Sequence, residues 1–366
     1  MGFHIVKREN CPIWKRCLFY LIAVFVALGI GACLLLFIDV NPFDYYYRMF
    51  TMGTVDNPYS YTIVSNYLKK FLPLVLTSVA LSFAFKMRFW NIGGEGQFIM
   101  GAVTATFVAL QFGASMPSWL TLIVMCLAAM IVAGVYGLIP GILKVKFGTS
   151  ETLMTLMMNY IALYFLYFIG ETQGSWNLFI QEESTRPVFK SFSDIASFPS
   201  IPLGGGYELN VCLIFVVIIG VLAYFYLKRT KHGYEISVVG DSLGTARYAG
   251  MKVNKIILRT VFTSAALIGL ASAFKVGTAG VLSTSITDDV GWTGIIVAWL
   301  SQLSTGAIFI VSALICVLQV GSIQANVLFS RVDSSFANML QGLILFLVLA
   351  ADFFIRFRIA RKKKGE

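Results

Sequence analysis

The sequence predicts an all-α polytopic membrane protein with about ten transmembrane helices, at least one of them broken or re-entrant. Of its 366 residues, 58% are hydrophobic and only 13% are charged, whereas roughly a quarter of the residues in a soluble domain are charged. The mean hydropathy of +0.79 points the same way. Apolar runs long enough to cross a bilayer recur along the whole chain, so the chain belongs to the membrane class.

The apolar runs define the candidate spans. Runs of spanning length cover roughly 17–38, 71–86, 97–113, 118–143, 152–169, 209–227, 257–276, 307–328 and 338–355. The first run is too long for a cleavable signal peptide, and no small-residue cleavage site follows it. A shorter run, about 292–303, is typical of a half-helix or a re-entrant segment.

Lysine and arginine residues predict the orientation, because cytoplasmic loops carry an excess of them. Segment 1–16 and tail 357–366 are basic, which predicts cytoplasmic termini around a transmembrane domain at 17–356. Two ends on one side require an even number of crossings and favour ten. The acidic loop 171–207 is placed outside and the basic segment 228–259 inside. The net charge of +10 therefore needs no nucleic-acid partner. The basic residues at the two ends are Lys7, Arg8, Lys15, Arg16, Arg356, Arg358, Arg361, Lys362, Lys363 and Lys364.

One stretch, RFWNIGGEGQFIMGA at 88–102, places polar groups between two apolar runs. Asn91, Glu95 and Gln97 stand among three glycines. Two interpretations are open. The stretch could be a tight cytoplasmic turn, or it could break a helix where the polar groups line a cavity, since irregular backbone at membrane depth needs protein or water around it.

Two further clusters place polar groups at or near membrane depth. In GTSETLMTLMMNYIA, residues 148–162, Thr155 and Asn159 share a helix face, and Ser150 is a predicted N-cap. Asn159 could contact a ligand or join two helices. In TSITDDVGWTG, residues 284–294, Asp288 and Asp289 could hydrogen-bond ribose hydroxyls while Trp292 stacks on a planar ring. An ordinary outer loop with an interfacial Trp is the alternative.

Small residues recur at every fourth position in two of the predicted spans. Such stripes let helix backbones approach closely in lipid. They favour static packing, with a moving or lining interface as the alternative. The stripes are Ala129, Ala133, Gly137 and Gly141, and Ala265, Gly269, Ala273 and Gly277.

Several chemistries have no motif in this sequence. It contains no GxxxxGK[ST] phosphate loop, no HExxH, no GxSxG and no Cys/His array. The six cysteines include no CxxC pair, and the two histidines lie far apart. We therefore expect no enzyme activity, no metal site and no cofactor, and any ATP that drives the protein would be bound by another chain.

The polar stretches resemble a known family. RFWNIGGEGQFIMGA is similar to the FNIGGEGQ signature of permease subunits of bacterial ATP-binding cassette importers, in the nucleoside-type branch of the branched-chain amino acid and simple-sugar permease superfamily. FGTSETLMTLMMNYIA resembles FGxNEVIxTLMLNYIA, GYEISVVGDSLGTARYAGM resembles GxELRAVGxNPxAARYAGI, and GWTGIIVAWL resembles GFTGIAVALL. The resemblance covers about 60–355. It departs where residues 242–246 replace NPxAA and where Ser150 replaces Asn.

This resemblance implies the function and the partners. The chain would be a multi-pass protein of the bacterial cytoplasmic membrane, forming a nucleoside pathway with a second, paralogous permease. A double-cassette ATPase would supply energy and a binding lipoprotein would deliver solute. Riboflavin, a simple sugar or another small polar solute is the alternative cargo, and an ion-coupled carrier is a further rival.

The resemblance also assigns roles to residues. The cytoplasmic loop at about 228–256 would contact the ATPase through a short helix near 243–249 that Gly250 ends. The coupling residues are Asp241, Thr245, Arg247, Tyr248 and Gly250. The pathway residues are Asn91, Glu95, Gln97, Thr155, Asn159, Asp288, Asp289 and Trp292.

Overall fold

A computed structural model describes residues 3–7, 12–55, 57–182, 184–192, 196–333 and 335–361. These residues divide into two compact units, one formed by 1–63 with 314–366 and the other by 64–313. Several charges used to predict orientation lie outside the described residues. These are Arg8, Glu183, Asp194, Lys362, Lys363 and Lys364.

The first unit contains both ends of the chain. Its strands β1 (Phe3–Lys7) and β4 (Phe357–Arg361) pair antiparallel. Helix α1 (Ile13–Phe37) precedes the short helix α2 (Pro42–Phe50), and α13 (Ser335–Arg356) precedes β4. The Asn41 side chain caps α2, which buries Tyr45 and Met49 on one face.

The second unit contains most of the remaining helices. They are α4 (Gly94–Phe112), α5 (Ser118–Phe147), α6 (Glu151–Glu171), α7 (Cys212–Arg229), α8 (Lys231–Asp241), α9 (Leu243–Tyr248), α10 (Val253–Ala279) and α11 (Val290–Leu300). Helices α3 (Ser60–Lys86) and α12 (Thr305–Leu328) begin and end, respectively, in the first unit. A small hairpin, β2 (Ser200–Gly204) with β3 (Tyr207–Asn210), begins in the predicted outer loop 171–207 and ends just beyond it.

The all-α membrane fold is confirmed, while the count of ten spans is not. Among the described residues, eight helices are long and apolar enough to cross a membrane. Helix α4 is not one of these because Glu95 and Gln97 lie within it, and α11 is too short. The predicted short run at 292–303 corresponds to α11. Helix α3 begins at Ser60 rather than near 71, because its first turns carry polar residues that hid the helix from a hydropathy search.

Helix α4 lies at the centre of the second unit. Nearly every residue from Gly94 to Ala109 is buried, and α5, α6 and α10 surround it with an apolar core. A helix enclosed by protein does not need a lipid-facing surface, which explains how a helix that contains Glu95 and Gln97 is tolerated.

The two small-residue stripes pack against each other between α5 and α10. A Cβ at Gly269 would overlap the carbonyl of Ala129 and stand 2.7 Å from the Cβ of Ala133, and a Cβ at Gly137 would overlap Ala265. Close packing of these helices is therefore the role that the structure supports for the stripes. Ser264 adds a hydrogen bond of 2.7 Å from α10 to the carbonyl of Ala80 in α3.

Candidate functional site

The site begins at the non-helical connection between α3 and α4, residues 87–93. Asn91 organises it. Its Oδ1 accepts hydrogen bonds from the Gly93 N–H at 3.1 Å and from Gln97 Nε2 at 3.1 Å. Its Nδ2 donates to Gln97 Oε1 at 3.2 Å. Both amides are almost fully buried, so the pair satisfies their polar groups and fixes the angle at which the chain enters α4.

Helix α6 holds the same connection from the other side. Asn159 Nδ2 donates to the carbonyl of Ile92 at 2.9 Å, and its Oδ1 accepts from the Gly96 N–H at 2.8 Å. Thr155 Oγ1 accepts from the Ile92 N–H at 3.2 Å. The predicted N-cap is present: Ser150 begins α6 and accepts from the Leu153 N–H. These bonds replace those that a continuous helix would have made.

The first turns of α4 and α11 meet at the carboxylate of Glu95. Glu95 Oε2 accepts from the Gly291 N–H at 2.8 Å, and the Trp292 N–H and the Thr287 side chain also contact this carboxylate. Glu95 therefore caps α11. Asp289, the residue directly before this helix, makes no capping hydrogen bond with its side chain. Because helix N-termini carry partial positive charge, a carboxylate between two of them is stabilised.

Glycine makes this meeting of the two helices possible. A Cβ on Gly291 would stand 2.6 Å from the Cα of Glu95, and one on Gly94 would be 3.7 Å from the Cα of Gly291. The far end of α11 is also fixed, since Trp299 stacks on Trp90 with ring centroids 5.2 Å apart.

A second acidic pair lies just before α11. Asp288 and Asp289 have φ of 46° and 56°, a left-handed backbone that non-glycine residues seldom adopt. Asp288 Oδ2 accepts from Lys275 Nζ at 2.7 Å. Lys275 is only 9% exposed within α10. The sequence analysis missed it, although a single lysine within the apolar run 257–276 was a usable signal.

The predicted pathway residues form two groups. Asn91, Gln97, Thr155 and Asn159 direct their hydrogen bonds to the connection and to one another. Glu95, Asp288, Asp289 and Trp292 surround the first turn of α11, and of these Asp289 and Trp292 are exposed. The connection joins two helices, and Glu95 lies beyond it, within α4.

The predicted coupling residues lie on and around α9. Ser242 caps this helix, and Gly250, with φ of 71°, follows its end. Thr245, Arg247 and Tyr248 are exposed, and Tyr248 is 97% exposed. Asp241 lines an open cavity of about 270 Å³ together with Arg88, Lys144, Glu151 and other residues. In α8, Gly240 contacts the backbone of Lys86 and Met87, where the connection begins.

Comparison with known proteins places this architecture in a family. Residues 63–349 match the family described as branched-chain amino acid transport system / permease component. Since this match covers most of the chain, the protein belongs to that family: it is a permease subunit of a transport system and not itself an enzyme.

Three relatives match nearly the whole chain. The guanosine ABC transporter permease protein NupP of Bacillus subtilis is 29% identical over 94% of this chain and 96% of its own. The nucleoside ABC transporter permease protein NupB of Lactococcus lactis is 28% identical over 96% and 98%. The glucose ABC transporter permease protein TsgB13 of Haloferax volcanii is 27% identical over 96% and 92%. Bacillus subtilis and Lactococcus lactis each have a second permease of this kind that is similar to part of this chain.

Proposed function

We propose that this chain imports nucleosides as one of two permease subunits of an ATP-binding cassette importer, and that solute passes the junction of α4 and α11. The observation that carries the proposal is this junction, where two helix N-termini meet at Glu95, with Asp288 and Asp289 directly before one of the two helices, within a membrane domain. Solute sites of transporters are commonly built from such broken helices.

The chemistry of the junction suits a neutral polyhydroxylated solute with a planar ring. Carboxylates of Asp288 and Asp289 can accept hydrogen bonds from ribose hydroxyls, and the exposed indole of Trp292 offers a flat apolar face. We assign Asn91, Gln97, Thr155 and Asn159 a positioning role, since their hydrogen bonds hold the backbone from which Glu95 projects.

The cytoplasmic surface suits an ATPase partner. The exposed face of α9, with Thr245, Arg247 and Tyr248, is available for docking. Movement of α8 would reach the connection directly, because Gly240 contacts the backbone of Lys86 and Met87, and the connection leads into Glu95. We assign residues 228–256 to this coupling role.

We also place both termini in the cytoplasm. The pairing of β1 with β4 supports an even number of crossings, because it brings the two ends of the described chain to the same side.

The partners follow from the same proposal. The family implies an ATPase and a solute-binding protein. The paired permeases of Bacillus subtilis and Lactococcus lactis support a paralogous second permease chain. We infer that a lipid-anchored binding protein delivers the solute at the outer face and that the complex resides in the cell membrane.

Uptake measurements test the proposal. A strain lacking this chain should lose uptake of labelled nucleosides and regain it on complementation, with unlabelled nucleosides competing in the wild type. Unchanged uptake in the deletion strain would remove nucleosides as the cargo. Proteoliposomes holding this chain alone should be inert under ion gradients, and transport by the lone chain would favour a secondary carrier.

A sugar is the second candidate cargo, because the relative in Haloferax volcanii is named for glucose. The strain that lacks this chain decides between the two. Loss of labelled glucose uptake with unchanged adenosine and guanosine uptake would favour the sugar, whereas the reverse pattern would favour nucleosides.

A further inference from the structure

The junction carries an unequal number of opposite charges. Glu95 comes from α4, and Asp288 and Asp289 come from the residues just before α11. Asp289 lies near enough to Glu95 for the two carboxylates to repel each other. Neither Glu95 nor Asp289 forms an ion pair with another described residue. Lys275 is the partner of Asp288.

Lys275 is unusually enclosed for a lysine. Its side chain is 11% exposed, against 28% for Arg259 and 37% for Lys144, the cations of two other ion pairs in the described chain. Its partner Asp288 is 33% exposed. A solute arriving at the pair would therefore meet the carboxylate first, with the ammonium behind it. A buried ammonium is costly to desolvate, so its pairing with Asp288 is needed to hold it there.

We propose that Lys275 makes this junction selective for uncharged solutes by balancing one of its three carboxylates. This inference rests on the proposed passage of nucleosides through the junction. Unbalanced carboxylates in a low-dielectric site concentrate cations. Lys275 leaves fewer unbalanced charges, so a neutral solute that is held by hydrogen bonds competes successfully with a cationic one. Lys275 acts through Asp288 and is a positioning residue rather than a contact residue.

Three related nucleosides test this selectivity. Adenosine is neutral, N1-methyladenosine is a cation at neutral pH, and N6-methyladenosine is a neutral isomer that controls for the added methyl group. Initial uptake of each is measured in cells expressing the complete importer. The readout is the ratio of N1-methyladenosine to N6-methyladenosine uptake, because a change in folding or expression alters both rates equally.

Lys275→Met should raise this ratio about tenfold, the effect expected of removing one unit charge a few ångströms from the ligand in partly hydrated protein. Lys275→Arg keeps the charge and should keep the wild-type ratio. The double variant Lys275→Met with Asp288→Asn removes both charges and should bring the ratio back towards wild type. An unchanged ratio in Lys275→Met would overturn the inference.

Two further results keep the test decisive. If Lys275→Met does not reach the membrane, Asp288→Asn alone should lower the ratio, since it leaves Lys275 unbalanced, and an unchanged or raised ratio would contradict the inference. Absence of adenosine uptake by the wild-type importer would instead overturn the proposed function. The two failures are therefore distinguishable.

Discussion

At the scale of single residues, Glu95 is the side chain on which the site depends. It accepts N–H groups from the first turn of α11 while lying in the first turn of α4. No local sequence pattern predicts that contact, because its partner Gly291 is 196 residues away. The polarity and the glycines around Glu95 were visible in the sequence, but the identity of what it caps required the fold.

Replacing Glu95 by Gln tests the charge at the junction. The amide keeps an acceptor oxygen but loses the carboxylate charge that two helix N-termini stabilise, an effect of about 1 kcal/mol. We expect nucleoside uptake to fall at least about fivefold, with normal membrane insertion. Uptake by complemented cells measures it, and Glu182→Gln on the predicted outer loop is the control. Wild-type rates would show that the carboxylate charge of Glu95 is not needed for transport.

Replacing Gly291 by Ala tests the close approach of α4 and α11. The added methyl would press on the backbone of Glu95. We therefore expect loss of uptake and a free energy of unfolding lowered by about 1–3 kcal/mol, as in overpacking. Gly306→Ala is the matched control, since a Cβ there would have no described atom within 4 Å. Equal stability of the two variants would contradict the contact.

At the scale of elements, α8 and α9 link an exposed surface of the second unit to the connection before α4. Arg259 of α10 holds α8 through a 2.9 Å ion pair with Glu235, and it also contacts His232. The family resemblance implied the short helix near 243–249, and Gly250 as its end is a local capping signal. It could not predict the contact of α8 with Lys86 and Met87, which depends on tertiary packing.

The Glu235 ion pair predicts a pH-dependent stability. Burial raises the pKa of Glu235, but hydrogen bonds and charges from Arg259 and His232 outweigh burial and hold this pKa below its ordinary value of 4.5. An ionised carboxylate whose pKa is lower in the folded state stabilises the fold at pH values above its unfolded-state pKa. This stabilisation is lost as the pH falls through the folded-state pKa. Glu235→Gln should cost about 1 kcal/mol or less at pH ~7.

Thermal unfolding in detergent measures this difference. It should be present near neutral pH and shrink as the solution is acidified below the ordinary pKa of the carboxyl group. A Glu182→Gln protein, altered at an exposed position, should melt like the wild type throughout. A destabilisation of Glu235→Gln that is independent of pH would show that the lost contact is not ionic.

Reversal of charge on α9 tests the docking face. Arg247→Glu should weaken ATPase association about tenfold or more. A glutamate facing an acidic partner surface that had matched the arginine costs more than about a kilocalorie per mole. Affinity of the binding protein for solute should be unaffected. Co-purification of the ATPase measures it, with Arg186→Glu on the predicted outer loop as the control. Normal association would remove α9 from the coupling surface.

At the scale of the whole molecule, hydropathy and polar exceptions predicted the class of fold, and tertiary contacts decided the rest. The spans and the short run near α11 followed from apolar length. The true extent of α3 and the central position of α4 did not, because polar residues on protein-facing helix surfaces look like loops in a hydropathy search. The role of Lys275 could not be predicted either, because it appears only when Asp288 is brought beside it.

The most direct test asks whether solute occupies the junction of α4 and α11. Trp292→Cys, with the native cysteines replaced by alanine, is labelled by a membrane-impermeant thiol reagent in the complete importer with and without adenosine. The account predicts that adenosine slows labelling of this cysteine but not of Glu182→Cys. Labelling of Trp292→Cys that adenosine leaves unchanged, in an importer that still transports adenosine, would contradict passage of the solute through this junction.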